Sequence, residues 1–345
     1  MRPRTSNRSF PRRPMGRRQF LATGAAAMGG LVLPGAVAGQ TPAPSGDGTG
    51  GNRMINAQEA TTEWPGSSLD MPPSQNTATP EAPVGGRFDE GLLPDHRLIM
   101  YYGFPENTNM GILGQYEPEA LLPLLQEQKA AYEAAAPDRP WKMGIELIAS
   151  VAQRGPGEDG MYVRDTAGEW LDKYTQFTEA NDMYLLLDVQ CGLKTPKEDY
   201  AGLERWIRYD HVHLAIDPEF HVLPGETPGV ELGSIDASDV TEAQRWCVDI
   251  ANKYGTSRKM LLIHQFSSYS ISNKEQVAPM DGVDLVLNMD GFGTPQEKLT
   301  TWEVIIQQQP IQYNGIKLFY DQDAPLMTPE EIMALEPTPD VINYQ

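Results

Sequence analysis

The sequence predicts a (β/α)8 barrel, on three observations. Eight short runs rich in β-forming residues recur between positions 97 and 344, separated by amphipathic stretches. Together they occupy about 250 residues, the usual length of this architecture. The first run leads into Gly103-Phe104-Pro105-Glu106-Asn107. An open doubly wound sheet, the competing architecture, normally places a Gly-rich phosphate loop at that point, and none is present.

The expected strands are 97–103, 143–149, 183–190, 212–217, 260–266, 283–290, 315–321 and 340–344. The expected helices are 118–134, 169–181, 197–207, 240–254, 295–308 and 329–335. Thr294-Pro295 and Thr328-Pro329 each set a capping hydroxyl before a proline at the first helical position. Ser238-Asp239-Val240-Thr241-Glu242 is a similar start, with acids in the first turn. The stretch 273–280 has room for one or two turns only. Gln345 stands where an eighth helix would begin, so the expected barrel has its last helix truncated.

Two segments precede the barrel, which is expected over 94–345. Arg12-Arg13 and Arg17-Arg18 stand before a weakly apolar run from Leu21 to Gly39. Gly16-Arg17-Arg18-Gln19-Phe20-Leu21 resembles the twin-arginine export signal, and Ala36-Val37-Ala38 has the small-x-small form of a signal-peptidase site. A signal peptide over 1–38 is expected, with the twin-arginine export machinery as partner. The competing reading is a membrane anchor, but Gly29, Gly30, Pro34 and Gly35 interrupt a run barely long enough to span. The expected location is therefore extracellular or in the cell envelope (periplasmic if a second membrane is present), with no stable membrane span after cleavage. Nine of the twelve residues 39–50 are Gly, Pro, Ser or Thr, and turn-formers stay dense to Pro83, so 39–93 reads as a disordered linker.

Charge narrows the function classes. Against 27 Lys plus Arg stand 47 Asp plus Glu, for a formal charge of −20 in 345 residues. Seven of the arginines lie in the first 18 residues, and removing 1–38 leaves 20 basic against 47 acidic residues, or −27. Such a body repels phosphate backbones, so nucleic acid is not an expected partner. Two cysteines, Cys191 and Cys247, exclude a disulfide-built scaffold; whether they pair is a question of geometry.

In a barrel the chemistry sits at the carboxyl ends of the strands, and acids collect there. Glu146 lies on the second strand, Asp188 on the third, Asp217 and Glu219 on the fourth, Asp290 on the sixth, and Asp321 with Asp323 on the seventh. Strand alternation puts His213, Ala215, Asp217 and Glu219 on one face, as it does Asn288 with Asp290, and Lys317 with Phe319, Asp321 and Asp323. Each Asp taken singly reads equally as a helix cap. Capping does not account for Glu146, Glu219 or the pairing within Asp217-Pro218-Glu219. Aromatic residues (Tyr101, Tyr102, Phe104, Phe220, Phe292, Tyr320, Tyr344) and amides (Gln190, Gln265, Gln345) share the rim, a combination suited to sugar rings and hydroxyls. Glycoside cleavage needs one protonated carboxyl at the leaving oxygen and a second carboxylate, and neighbouring acids raise one another's pKa.

Ile216-Asp217-Pro218-Glu219 resembles the Asp-x-Glu at the end of the fourth strand in barrel chitinases and muramidase-type barrel lysozymes. Asn288-Met289-Asp290 is similar to the chitinase sixth-strand element. The resemblance implies a carbohydrate hydrolase with Glu219 as general acid, Asp217 tuning it, and Asp290 positioning substrate. Departures are Val212 and Ala215, where the longer chitinase pattern has acids, and Met289, where it has Tyr. Glu146, Asp188, Gln190, Gln265, Asp321, Tyr102 and Phe292 are the expected substrate-binding residues, and no cofactor or metal is called for.

Two other function classes remain open: a non-catalytic glycan-binding or cell-surface barrel, and a metal-dependent hydrolase using His211, His213 or His264. His264, near a strand exit, is the histidine best placed for chemistry. Lys317 reads either as a Schiff-base lysine or as a buried cation neutralised by carboxylates. Cys191, with no helix N-terminus or basic partner evident to lower its pKa, reads as a buried thiol.

Overall fold

In the computed structural model, residues 91–345 are described. The export signal expected over 1–38 and the linker up to residue 90 lie outside the described residues. Eight parallel strands form a closed ring: β1 (Arg97–Gly103), β2 (Trp141–Ala152), β3 (Tyr184–Val189), β4 (Val212–Ile216), β5 (Lys259–Gln265), β6 (Val283–Met289), β7 (Tyr313–Leu318) and β8 (Val341–Tyr344). Each pairs with the next, and β8 closes on β1 with Ile342 beside Ile99. The fold is the (β/α)8 barrel that the alternation predicts. A three-residue strand, Val163–Asp165, adds antiparallel to the end of β2, and Ile235–Asp236 pairs with Ile271–Ser272 outside the ring.

The helices are α1 (Pro118–Ala135), α2 (Gly168–Ala180), α3 (Pro196–Tyr200), α4 (Glu204–Ile207), α5 (Ala237–Tyr254), α6 (Pro295–Trp302) and α7 (Pro329–Met333). Thr294 and Thr328 cap as expected, each accepting the N–H three residues on while Glu297 or Glu331 reaches back. Three expectations are corrected. The helix expected over 197–207 breaks into α3, a 3-10 turn (Ala201–Leu203) and α4, around Gly202, a poor helix former. The helix expected at 240 begins at Ala237, because Asp236 rather than Ser238 is the cap, its carboxylate accepting from the Ser238 N–H at 3.0 Å. The strand expected to run to 321 stops at Leu318, where Asp323 accepts the Phe319 N–H at 3.0 Å and turns the chain away. Between β5 and β6 stands the single short turn that the spacing allows, Lys274–Gln276.

Strand alternation divides the core in two. One set of side chains packs outward against the helices, among them Ile99, Leu147, Leu187, Leu214, Ile263, Leu287 and Ile342. The other set fills the barrel, with Leu98, Met100, Leu186, Ala215, Leu262, Val286 and Val341 in its lower part. Leu92 and Leu93, which the composition assigns to the linker, belong to this inner cluster and close the base. They are held there by an Arg258 hydrogen bond to the Leu93 carbonyl at 2.8 Å. At Gly315 on β7 a Cβ would stand 2.3 Å from Asn288 Oδ1, so glycine there makes room for a polar side chain inside the barrel. No helix among the described residues is long and apolar enough to cross a membrane.

Leu262 is fully buried inside the ring. Leu262→Ala is expected to lower unfolding free energy by about 2–5 kcal/mol, and Thr294→Ala at the start of α6 by about 1 kcal/mol, both read from urea denaturation.

Candidate active site

Above the apolar filling, the inward positions change character. Tyr102 from β1, Glu146 from β2, Asp188 from β3, His264 from β5, Asn288 from β6, Lys317 from β7 and Asn343 from β8 are all buried. Asp217 and Asp290, directly past β4 and β6, continue the same faces upward, and Glu219 stands in the 3-10 turn Pro218–Phe220 after β4; all three are buried. Because strand side chains alternate, one polar residue near each carboxyl end suffices to build this layer.

The layer is a connected network. His264 Nε2 lies 2.6 Å from Glu146 Oε1, and its Nδ1 lies 3.2 Å from both Asp290 Oδ2 and Asn288 Nδ2. Asn343 donates to the other Glu146 oxygen. Lys317 Nζ pairs with Asp290 at 3.3 Å and stands 3.5 Å over the centre of the Tyr102 ring, whose hydroxyl donates to Asp188 at 3.0 Å. Asp188 Oδ1 and Asn343 Oδ1 find no hydrogen-bond partner among the described residues.

Electrostatics divides the acids into two groups. Burial pushes Asp188 up to about 7, Glu146 adding to the rise while His264 and Lys317 oppose it. Burial also raises Asp217 well above the carboxylate range, reinforced by Asp188, Asp290 and Glu219. Burial would raise Asp290 as well, but the Lys317 charge and the hydrogen bond from His264 outweigh it and hold that carboxyl well below its ordinary value. Burial opposes the charge on Lys317 and on His264. The surrounding carboxylates outweigh it at both, Asp290 foremost at Lys317 and Glu146 at His264, so both pKa values are raised. Lys317 is accordingly an ammonium, as in the second reading of this residue, and a protonated amine is no Schiff-base nucleophile.

A cavity of about 170 Å³ opens above this network. Asp217, Glu219, Asp290, Gln190, Tyr102 and Phe292, all singled out in the sequence, line it together with Lys317, Phe220, Phe266 and Phe319. Phe292 packs edge-on to Phe319 at 5.7 Å and lies 6.2 Å from Phe266, which makes one wall aromatic. Asp217 is also a cap, accepting the Glu219 N–H at 3.2 Å, so the cap and the rim residue are the same side chain.

Four expected residues sit elsewhere. Glu146 and Asp188 lie below the cavity, in the network that supports its floor. Gln265 follows inward-facing His264 and so takes the outward face of β5, where its amide donates to the Ser267 carbonyl at 2.9 Å. Asp321, beyond the end of β7, is exposed and lines a depression adjoining the cavity rather than the cavity itself. Asn343 was not anticipated, although the β8 alternation Val341, Asn343, Gln345 signals it.

Glu146, Asp188 and His264 are also the one group among the described residues able to gather ligand atoms for a metal, all within 4.8 Å of one another. Each already has partners in the network: Asn343 on Glu146, Tyr102 on Asp188, and Asp290 with Asn288 on His264. His211 and His213 stand at the opposite end of β4; His213 stacks on Tyr184 at 5.3 Å and accepts the Met260 N–H, a structural role. Cys191 and Cys247 are free and buried, and burial raises both thiols, so neither is an activated nucleophile.

Asp188 binds its proton more tightly folded (about 7) than unfolded (about 3.9), so between pH 4 and 7 its ionisation destabilises the fold as pH rises. The melting temperature of wild type is therefore expected to fall relative to that of Asp188→Asn across this range. Lys317→Met leaves Asp290 buried beside His264 alone, and is expected to cost about 3–5 kcal/mol near neutral pH by urea denaturation.

The chain matches no protein-family model, no curated protein and no solved structure, so no relative supplies a role for any of these residues.

Proposed function

We propose that this protein is an exported barrel hydrolase that cleaves a glycan by carboxylate acid/base chemistry. One observation carries the reading: Asp217, Glu219 and Asp290 converge on one small aromatic-walled cavity at the carboxyl end of the barrel. The electrostatics support it, because Asp290 is held ionised while Asp217, hydrogen-bonded to the Glu219 backbone, favours its proton, so the cavity holds carboxyls of both characters.

Glu219 delivers the proton to the leaving oxygen. Asp217 beneath it favours the protonated form and orients the Glu219 backbone through their hydrogen bond. Asp290, kept anionic by Lys317 and His264, faces the positive charge that develops on the sugar ring; water then adds at the carbon that bears it and its proton passes to the Glu219 carboxylate. Phe292 and Phe266 offer apolar faces to the ring, and Gln190 lies at the cavity edge with its amide oxygen fixed by the Ala152 N–H at 2.9 Å. The basic segment with Arg17-Arg18 supports delivery of the enzyme across the membrane.

The test incubates wild type and Glu219→Gln with chitin, peptidoglycan, α- and β-glucans, arabinans and galactans and measures released sugar. Wild type is expected to release sugar from one of them, and Glu219→Gln to be slower by at least about 10²-fold with its fold intact by circular dichroism. Undiminished release by Glu219→Gln overturns the assignment of the acid. Saturable binding without any release replaces the hydrolase with a glycan-binding barrel.

A further inference from the structure

Beside the mouth cavity lies a second depression, of about 270 Å³, between the β1 loop, the residues after β7 and the end of β8. Asn109 and Gln345 line both, so the two are contiguous. Its other walls include Tyr116, Tyr320, Gln115 and Asp321. Tyr116 and Tyr320 are 44 % and 41 % exposed, unusual for large rings on a structure that buries most of its aromatic residues. Tyr320 is held in place, stacked on buried Tyr344 at 5.2 Å with 27° between the planes, so one face of its ring is presented without loss of rotamer freedom.

The lining contains Asp321 and no Lys or Arg. A phosphorylated or carboxylated ligand would find no counter-charge there. A neutral saccharide finds rigid ring faces for its C–H surface, and amides and a carboxylate for its hydroxyls. From this juxtaposition we infer that the depression is a second sugar subsite, and that the ligand of the mouth cavity is an uncharged oligosaccharide whose adjoining unit rests on Tyr320 and Tyr116. The inference rests on the carbohydrate reading above. It adds that the chain leaves the mouth past Gln345 and Asn109, toward β8 and β1.

The experiment measures kcat/KM on a ladder of neutral oligosaccharides of the glycan that wild type cleaves. The ratio of the longer to the shortest cleaved substrate is expected to drop about tenfold in Tyr320→Ala and in Tyr116→Ala, the loss of one aromatic stacking contact. An unchanged ratio in both variants overturns the subsite, whatever happens to the absolute rates. Tyr116→Ala is the control for folding, since Tyr116 carries none of the Tyr320–Tyr344 stacking. If wild type cleaves nothing, hydrolysis fails on its own account and the subsite is judged by calorimetric titration with chitin, glucan, arabinan and galactan oligosaccharides. Affinity about tenfold weaker in the two variants upholds it, and equal affinity, or no binding by wild type, overturns it.

Discussion

Lys317 places an ammonium in the middle of a closed barrel, 3.3 Å from Asp290 and 3.5 Å over the Tyr102 ring. A lone cation is too costly to bury there, and so is a lone carboxylate. Each is tolerated because the other is present, and the same exchange extends through His264 to Glu146 and Asn343. The upper layer is thus a single electrostatic unit. Its members come from seven of the eight strands, and the mouth cavity rests on them.

This unit gives the acids different characters without giving them different chemistry. Asp290 touches both cations and is held ionised, whereas Asp217 favours its proton because burial, with the neighbouring acids adding to it, outweighs the opposing charge of His264. Asp188 falls between, with Tyr102 donating to one oxygen and the other without a hydrogen-bond partner among the described residues. The three side chains that could gather a metal, Glu146, Asp188 and His264, belong to this same network.

The cavity and the packing beneath it are coupled through these same residues. Asn288 occupies space that Gly315 leaves open, and it reaches His264, so even a glycine on β7 bears on the floor of the cavity. The apolar filling below, closed by Leu92 and Leu93, keeps water from the underside of the network. The low local dielectric that separates the acids' pKa values follows from that closure.

The sequence by itself determined the barrel, because eight β-rich runs separated by amphipathic segments leave few other ways to bury both sheet faces. It also pointed Asp217 and Asp290 inward by strand parity, whereas Glu219 reaches the cavity from the turn Pro218–Phe220 that follows the strand. Parity equally implies that Gln265 faces away from His264 and that Asn343 faces in. Tertiary structure decided where the parity stops. Asp321 left the expected face because Asp323 turns the chain after Leu318, a contact between residues that the strand pattern treats as continuous. Tertiary structure alone also decided which inward acids meet a cation. Lys317 and His264 lie 53 positions apart in the chain, and only closure of the ring sets both against Asp290. Charge pairing inside a barrel depends on which strands are neighbours and at what height. A linear pattern records which face a residue takes, but not what stands across from it.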